Sequence, residues 1–130
     1  MIRFISKNRL LAFHEDQLSR FGGKTGVRDK KALKKVIKEP QKYWNELEPE
    51  SSLFEVAASY GHQIASRYPF RNGNKRMAVI AVYVFLYVNG FLLNADQRIF
   101  YAVLLDLVHG KAGRKELAEV LRNHSIKREE

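Results

Sequence analysis

Hydrophobic positions recur with a period near 3.6 along most of this chain, and sharp breaks separate the periodic stretches. From Lys7 to Arg20, Leu10, Leu11, Phe13, His14 and Leu18 fall on one face, with Phe21 just beyond. Ser6 supplies an N-cap and Gly22-Gly23 a stop, so the pattern predicts a first helix over residues 7–20. After the Gly-rich run FGGKTGVRD, Asp29 stands where it can cap a short second helix that ends before Pro40. Ala32, Leu33, Val36 and Ile37 form its apolar side. Lys30, Lys31, Lys34, Lys35 and Lys38 form a charged face that water can solvate and that can also attract an acidic partner.

PQKYWNELEPESS reads as a loop or broken turn, pinned to the core by Tyr43 and Trp44. Ser52-Leu53-Phe54-Glu55 has the form of a capping box, which places the start of a third helix near Leu53. Phe54, Ala57, Ala58, Gly61, Ile64 and Ala65 give that helix a face of mostly small residues, which a neighbour can approach closely. A fourth helix runs from Asn74 or Lys75 to Asn89, with Gly90 past its end. Its run MAVIAVYVFLYV is apolar on nearly every side and predicts a central helix with neighbours all around. The β-branched content favours a strand, but the length favours a helix. A fifth helix opens at Asn94 or Asp96 and continues through Val108, and a sixth covers about residues 114–123. Little is left for strands. The expected fold is all-α, about six helices around one buried helix, in a single domain over residues 1–130.

Composition narrows the chemistry. A chain of 130 residues can bury a core without staples, and the absence of Cys removes disulfides, Cys-based zinc sites and thiol nucleophiles. A reducing, cytoplasmic setting fits. MIRFISKNRLLAF lacks the continuous apolar stretch of a signal peptide, and Met77–Val88 is too short to span a bilayer. The formal charge of +9 points to an anionic partner, whether nucleic acid, nucleotide or acidic protein segment, unless it serves solubility alone.

The chemistry concentrates in RYPFRNGNKR, residues 67–76, at the mouth of the apolar helix. The first N–H groups of a helix lack internal partners, and the helix dipole adds positive potential there, so a phosphate is a natural occupant. Gly73 lets the backbone approach a ligand, Asn74 can cap the helix or donate to phosphate, and Lys75 and Arg76 bring charge. Phe70 is the expected anchor of the loop. A capped helix start with a solvated basic turn explains the same residues without a ligand. The spacing is not that of a P-loop. His14 lies on an apolar stripe and reads as a buried, hydrogen-bonded residue. His62 sits in mid-helix, facing the loop or a neighbouring helix. His109 and His124 fall near helix ends. No pair of His or carboxylates has metal-site spacing.

YPFRNGNKR resembles the signature of the Fic/Doc family, HxFx[D/E/N][G/A]N[G/K]R, and Lys75 before Arg76 matches its death-on-curing (Doc) branch. LLAFHEDQLSRFGGKTGVRD, LFEVAASYGHQIA and FLYVNG extend the likeness over roughly residues 4–122. The resemblance implies a bacterial toxin that binds ATP and Mg²⁺ and transfers the terminal phosphate to a threonine of elongation factor Tu. It also implies an acidic antitoxin whose tail folds onto the toxin, and no membrane or direct nucleic-acid partner. Carried over by position, Tyr68 stands at the proton-accepting site and Asn72 at a metal-associated one. Gly73 and Asn74 line the phosphate cradle, and Lys75 and Arg76 bind nucleotide phosphates. Gly22, Gly23, Lys24, Thr25 and Gly26 fall in the flap that positions the target.

One departure matters for activity. The family has His where this chain has Tyr68, and an ordinary phenol, with a pKa of about 10, is a poor base at neutral pH. Arg67 and Arg71 could lower it. Three explanations follow in order of preference: an introduced inactivating change, a natural pseudoenzyme that keeps its nucleotide or partner site, or unfamiliar use of the phenol. Asn72 in place of a carboxylate offers a weaker hold on a cation, and Met77, where the family often has Thr, reads as packing. The alternative readings are a toxin-derived binding module without catalysis and an AMP transferase, the latter disfavoured by Lys75. Nucleic-acid binding is the least expected, because the cations are not interleaved with aromatics.

Overall fold

The Ser6 hydroxyl accepts the Arg9 N–H at 3.2 Å and opens α1, Lys7–Phe21. Asp29 does the same for α2, Lys30–Lys38, accepting from the N–H groups of Lys31 and Ala32 at 3.0 and 3.1 Å. Its carboxyl is held below its usual pKa chiefly by the Ala32 N–H. A 3₁₀ turn, Glu39–Tyr43, leads to α3, Pro49–Arg67, followed by α4, Asn74–Val88. Then come β1, Phe91–Leu93; α5, Gln97–Val108; α6, Arg114–Asn123; and β2, Ser125–Lys127. This is a computed structural model, and it describes residues 1–94 and 96–129.

The all-α expectation holds, with one addition. β1 and β2 pair antiparallel, Leu92 opposite Ile126, and tie the end of the chain to the end of α4. Asp96, not Asn94, caps α5, its carboxylate accepting the Arg98 N–H at 2.8 Å, while the Asn94 N–H donates to the His124 carbonyl. The capping box expected at Ser52 is absent. α3 starts at Pro49, whose fixed φ and missing N–H suit a first helical position. The Ser52 hydroxyl donates instead to the Asn45 and Pro49 carbonyls, and Glu55 pairs with Arg114.

The expectation of a central α4 with neighbours all around also needs correction. α3 is the most thoroughly buried helix, packing chiefly on α4 and α6. On α4, Met77, Ala78, Ala81, Val82, Phe85 and Leu86 are buried, but Val79, Ile80 and Tyr83 are only partly covered and Tyr87 is exposed. An all-apolar helix needs neighbours on every side, and here the described residues cover one side only in part.

Small residues on α3 allow the close approach. A Cβ built on Gly61 would stand 2.9 Å from Val82 Cγ2 and 3.1 Å from Leu117 Cδ2. Gly61→Ala is therefore expected to lower stability in urea denaturation by up to about 2 kcal/mol. Overpacking costs about 1–3 kcal/mol, and better helix propensity returns about 1 kcal/mol. The adjacent Tyr60 is fully buried and its hydroxyl accepts the Ile5 N–H at 3.0 Å, while burial pushes its pKa up to about 12.

α2 carries an electrostatic burden. Lys30 and Lys34, Lys31 and Lys35, and Lys34 and Lys38 are like-charge pairs four residues apart, each costing roughly 0.2–0.5 kcal/mol. Lys30 and Lys31 also sit in the first turn, where the dipole disfavours cations. The Asp29 cap and burial of Ala32, Leu33 and Val36 oppose that cost.

Candidate active site at the start of helix α4

Tyr68 ends α3 in the left-handed conformation, with φ 50° and ψ 58°. It is the only non-glycine residue with positive φ among those described. Pro69 explains why the chain leaves the right-handed helix here, since the residue before a proline is driven out of that region. Arg28 secures the turn: its Nε donates to the Tyr68 carbonyl at 2.7 Å and a terminal nitrogen to the Arg67 carbonyl at 2.8 Å. The two otherwise unpartnered carbonyls are thereby satisfied, and the Tyr68 ring projects into a cleft, 39% of the residue remaining exposed.

Phe70 lies beneath the loop. It is fully buried and stacks on His14, ring centroids 4.0 Å apart and planes 13° from parallel. His14 Nε2 lies 2.8 Å from the Asn72 carbonyl, which accounts for this buried histidine as a structural member of the loop. Asn74 holds the loop from the other side. Its Oδ1 accepts the Phe70 N–H at 3.0 Å and its Nδ2 donates to the Phe70 carbonyl at 2.9 Å. Both ends of that buried amide are engaged, so the Asn74 side chain shapes the loop and only its backbone N–H is left for a ligand. Gly73 has φ 76°, and a Cβ there would meet open space, so conformation and not crowding requires glycine.

The Gly-rich run expected to form the flap lies against this loop. The Arg71 N–H donates to the Gly26 carbonyl at 3.2 Å, the Arg28 N–H to the Pro69 carbonyl at 2.8 Å, and Val27 bridges Phe70. Asn72 adds a clamp, its Oδ1 accepting the Lys24 N–H at 2.6 Å. Gly23 permits the approach, since a Cβ there would stand 3.2 Å from the Asn72 side chain. Gly22, Gly23, Lys24 and Thr25 are exposed above it. Asn72→Ala is expected to leave the global unfolding midpoint nearly unchanged and to speed amide exchange at Lys24 by about two- to tenfold, the worth of one exposed hydrogen bond.

The first intrahelical bond of α4 runs from the Met77 N–H to the Gly73 carbonyl at 2.8 Å. The N–H groups of Asn74, Lys75 and Arg76 therefore have no partner within the helix. They open on a cleft of about 410 Å³ lined by Tyr68, Asn72, Tyr101 and three cations, Arg71, Lys75 and Arg76. The Arg76 guanidinium rests over the Phe21 ring at 4.5 Å, which orients its fork. No carboxylate lines the cleft. This arrangement fits a polyphosphate: charge, backbone donors and a concave loop converge on one volume.

A protein-held Mg²⁺ fits less well. Among the described residues no group of three or more His, Cys, Asp or Glu could hold a metal. Asn72 Oδ1 is the one side-chain amide oxygen in the cleft not tied up within the loop itself, and it already accepts from Lys24. A divalent cation here would depend on phosphate oxygens for most of its ligands.

Other histidines lie elsewhere. His62 is half-buried on α3, and burial, then the nearby Arg114 and Arg67, lowers its pKa. It does not line the cleft. His109 and His124 cap the ends of α5 and α6. Sequence reasoning missed Arg28, Phe21 and Tyr101 as parts of the site. Arg28 reaches its carbonyl partners across 39 and 40 residues, so no local pattern could reveal it.

The family described as Fic/DOC matches residues 4–86, a span that includes the flap, the loop and most of α4. The chain is 35% identical over 91 residues to the "Protein kinase doc" of Escherichia phage P1, covering 68% of this chain and 70% of that protein. It is 34% identical over 76 residues to the "Toxin Doc" of Mycolicibacterium smegmatis (strain ATCC 700084 / mc(2)155), covering 58% of each. With the family matched over more than half of its length and that degree of identity to a relative, this chain belongs to the Fic/DOC family.

Proposed function

We propose that this chain is the toxin of a bacterial toxin–antitoxin pair, with a site for ATP that serves phosphoryl transfer to a threonine of elongation factor Tu. In this copy Tyr68 holds turnover low. The observation that carries the reading is the cleft itself: three cations and three helix N–H groups face one volume, with residue 68 at its edge. Phosphoryl transfer asks a protein mainly for positioning and charge stabilisation, and this loop supplies both. Arg76 and Lys75 would hold phosphate oxygens, and Arg71 would meet charge developing on the transferred group. The target hydroxyl must give up its proton beside residue 68. Mg²⁺ would enter with the nucleotide and neutralise phosphate charge. The relatives' names, one a kinase and one a toxin, support the class.

An acidic antitoxin tail has a matching surface. The uncovered side of α4 forms, with α1 and α5, a groove of about 390 Å³ that includes Phe21, Ile80, Tyr83 and Tyr101 and reaches Arg76. A segment with apolar residues and a carboxylate would cover the groove and cap that arginine. Tyr68 favours a second reading, in which the chain binds nucleotide and antitoxin without catalysis.

Titration calorimetry with ATP tests the shared premise. The unaltered chain is expected to bind, and Arg76→Ala and Lys75→Ala each to weaken binding by about tenfold or more, the worth of a charge-assisted contact. ATP binding that ignores both substitutions would place the nucleotide elsewhere.

A further inference from the structure

A second concavity, separate from the motif cleft, lies between α1 and α2, with a volume of about 500 Å³. Leu11, Val27, Leu33 and Ile37 line it with aliphatic surface. Lys7, Lys30, Lys31, Lys34 and Lys38 rim it. No carboxylate lines it, and none of those five lysines enters an ion pair among the described residues. No residue lines both this groove and the motif cleft.

Two observations set this face apart from an ordinary solvated one. Its lysines repel one another along α2 and oppose the dipole at its start, so the helix keeps them against its own stability. Beneath them, Leu11, Val27 and Ile37 remain only partly buried. Nucleic acid would use the cations, but no aromatic lines the groove on which bases could stack. A second copy of the chain would bring a net charge of +9 against the same sign. An amphipathic helix with a Leu-type stripe and acidic flanks complements both the floor and the rim.

We propose that this groove docks an acidic amphipathic helical segment of a partner protein. Val27 belongs to its floor and also bridges Phe70, so the docked segment lies beside the flap. The partner would then be held next to the motif cleft without entering it.

The test uses a fluorescent peptide about five turns long, with Leu at helical spacing and Glu on the flanks. Anisotropy is expected to show binding that weakens severalfold between about 50 and 300 mM salt. The double variant Lys34→Glu, Lys38→Glu changes exposed positions only, so circular dichroism should be unaltered. It is expected to weaken binding at least about tenfold, while Lys75→Ala changes it by less than about twofold. A peptide with Ser in place of Leu should lose binding. Five results would overturn the proposal: no binding; equal loss with Lys75→Ala; retention by the Ser peptide; equal competition by an oligonucleotide of the same charge; or self-association of the chain abolished by Leu47→Ser. Leu47 is the exposed residue between Glu46 and Glu48, so the last outcome would make a second copy the occupant.

Discussion

Replacing Tyr68 with His is expected to raise γ-phosphate transfer to elongation factor Tu by about 10²–10⁴-fold, the usual contribution of a positioned general base. An imidazole is largely free to accept a proton at pH 7, whereas an ordinary phenol gives up its own only near pH 10. The backbone should accept the change. Pro69 keeps Tyr68 out of the right-handed helix, and Arg28 secures its left-handed turn through the carbonyls of residues 67 and 68; none of these contacts involves the ring. Histidine is better tolerated than tyrosine in that conformation. The substituted side chain therefore projects into the same cleft, beside the same cations.

The measurement is label transfer from γ- and α-labelled ATP in parallel, with Tyr68→Phe as the baseline. Transfer of γ label by the His variant alone supports the phosphotransferase reading and makes residue 68 its limiting part. Transfer of α label would make the chain an AMP transferase. If the His variant is no faster than Tyr68→Phe while both still bind ATP, the chain is a binding module. Should the unaltered chain match the His variant, the phenol is itself competent and Tyr68 is not what limits turnover.

Phe70→Ala should have the largest effect on the fold of any change in the motif, about 3–5 kcal/mol in urea denaturation. The ring is fully buried, stacks on His14 and sits where the flap and motif loop meet. Its backbone is gripped by both ends of the Asn74 amide. Removing the ring leaves a cavity beneath all of these contacts. His14, Asn72, Asn74 and the Val27 bridge share one arrangement, so they should loosen together. Phe70→Leu should cost less, because most of the volume is kept. A loss below about 1 kcal/mol for Phe70→Ala would mean that the loop is held by its hydrogen bonds and not by its anchor.

Helix order and the identity of the loop are legible because both are written locally. Apolar spacing, Ser6 and Asp29 as caps, and glycines after the helices mark α1, α2 and α4 within a residue or two. The start of α3 is misleading in the sequence because two signals compete there. Ser52 and Glu55 have capping-box spacing, but Pro49 starts the helix earlier and Arg114 takes Glu55 across the fold. The apolar α4 reads as fully surrounded because hydrophobicity reports what a helix face needs and not what the chain supplies to meet it.

By itself, the sequence determined the helical class, the family signature at residues 68–76, the missing histidine and the concentration of positive charge. All of these depend on residue type and spacing within a few turns. Tertiary structure alone decided what each polar side chain is free to do. It set Asn72 against Lys24, brought Arg28 to the end of α3 and left Lys75 facing the cleft. Those assignments rest on contacts between residues as many as 48 positions apart, and such contacts exist only once packing of the helices has brought their ends together.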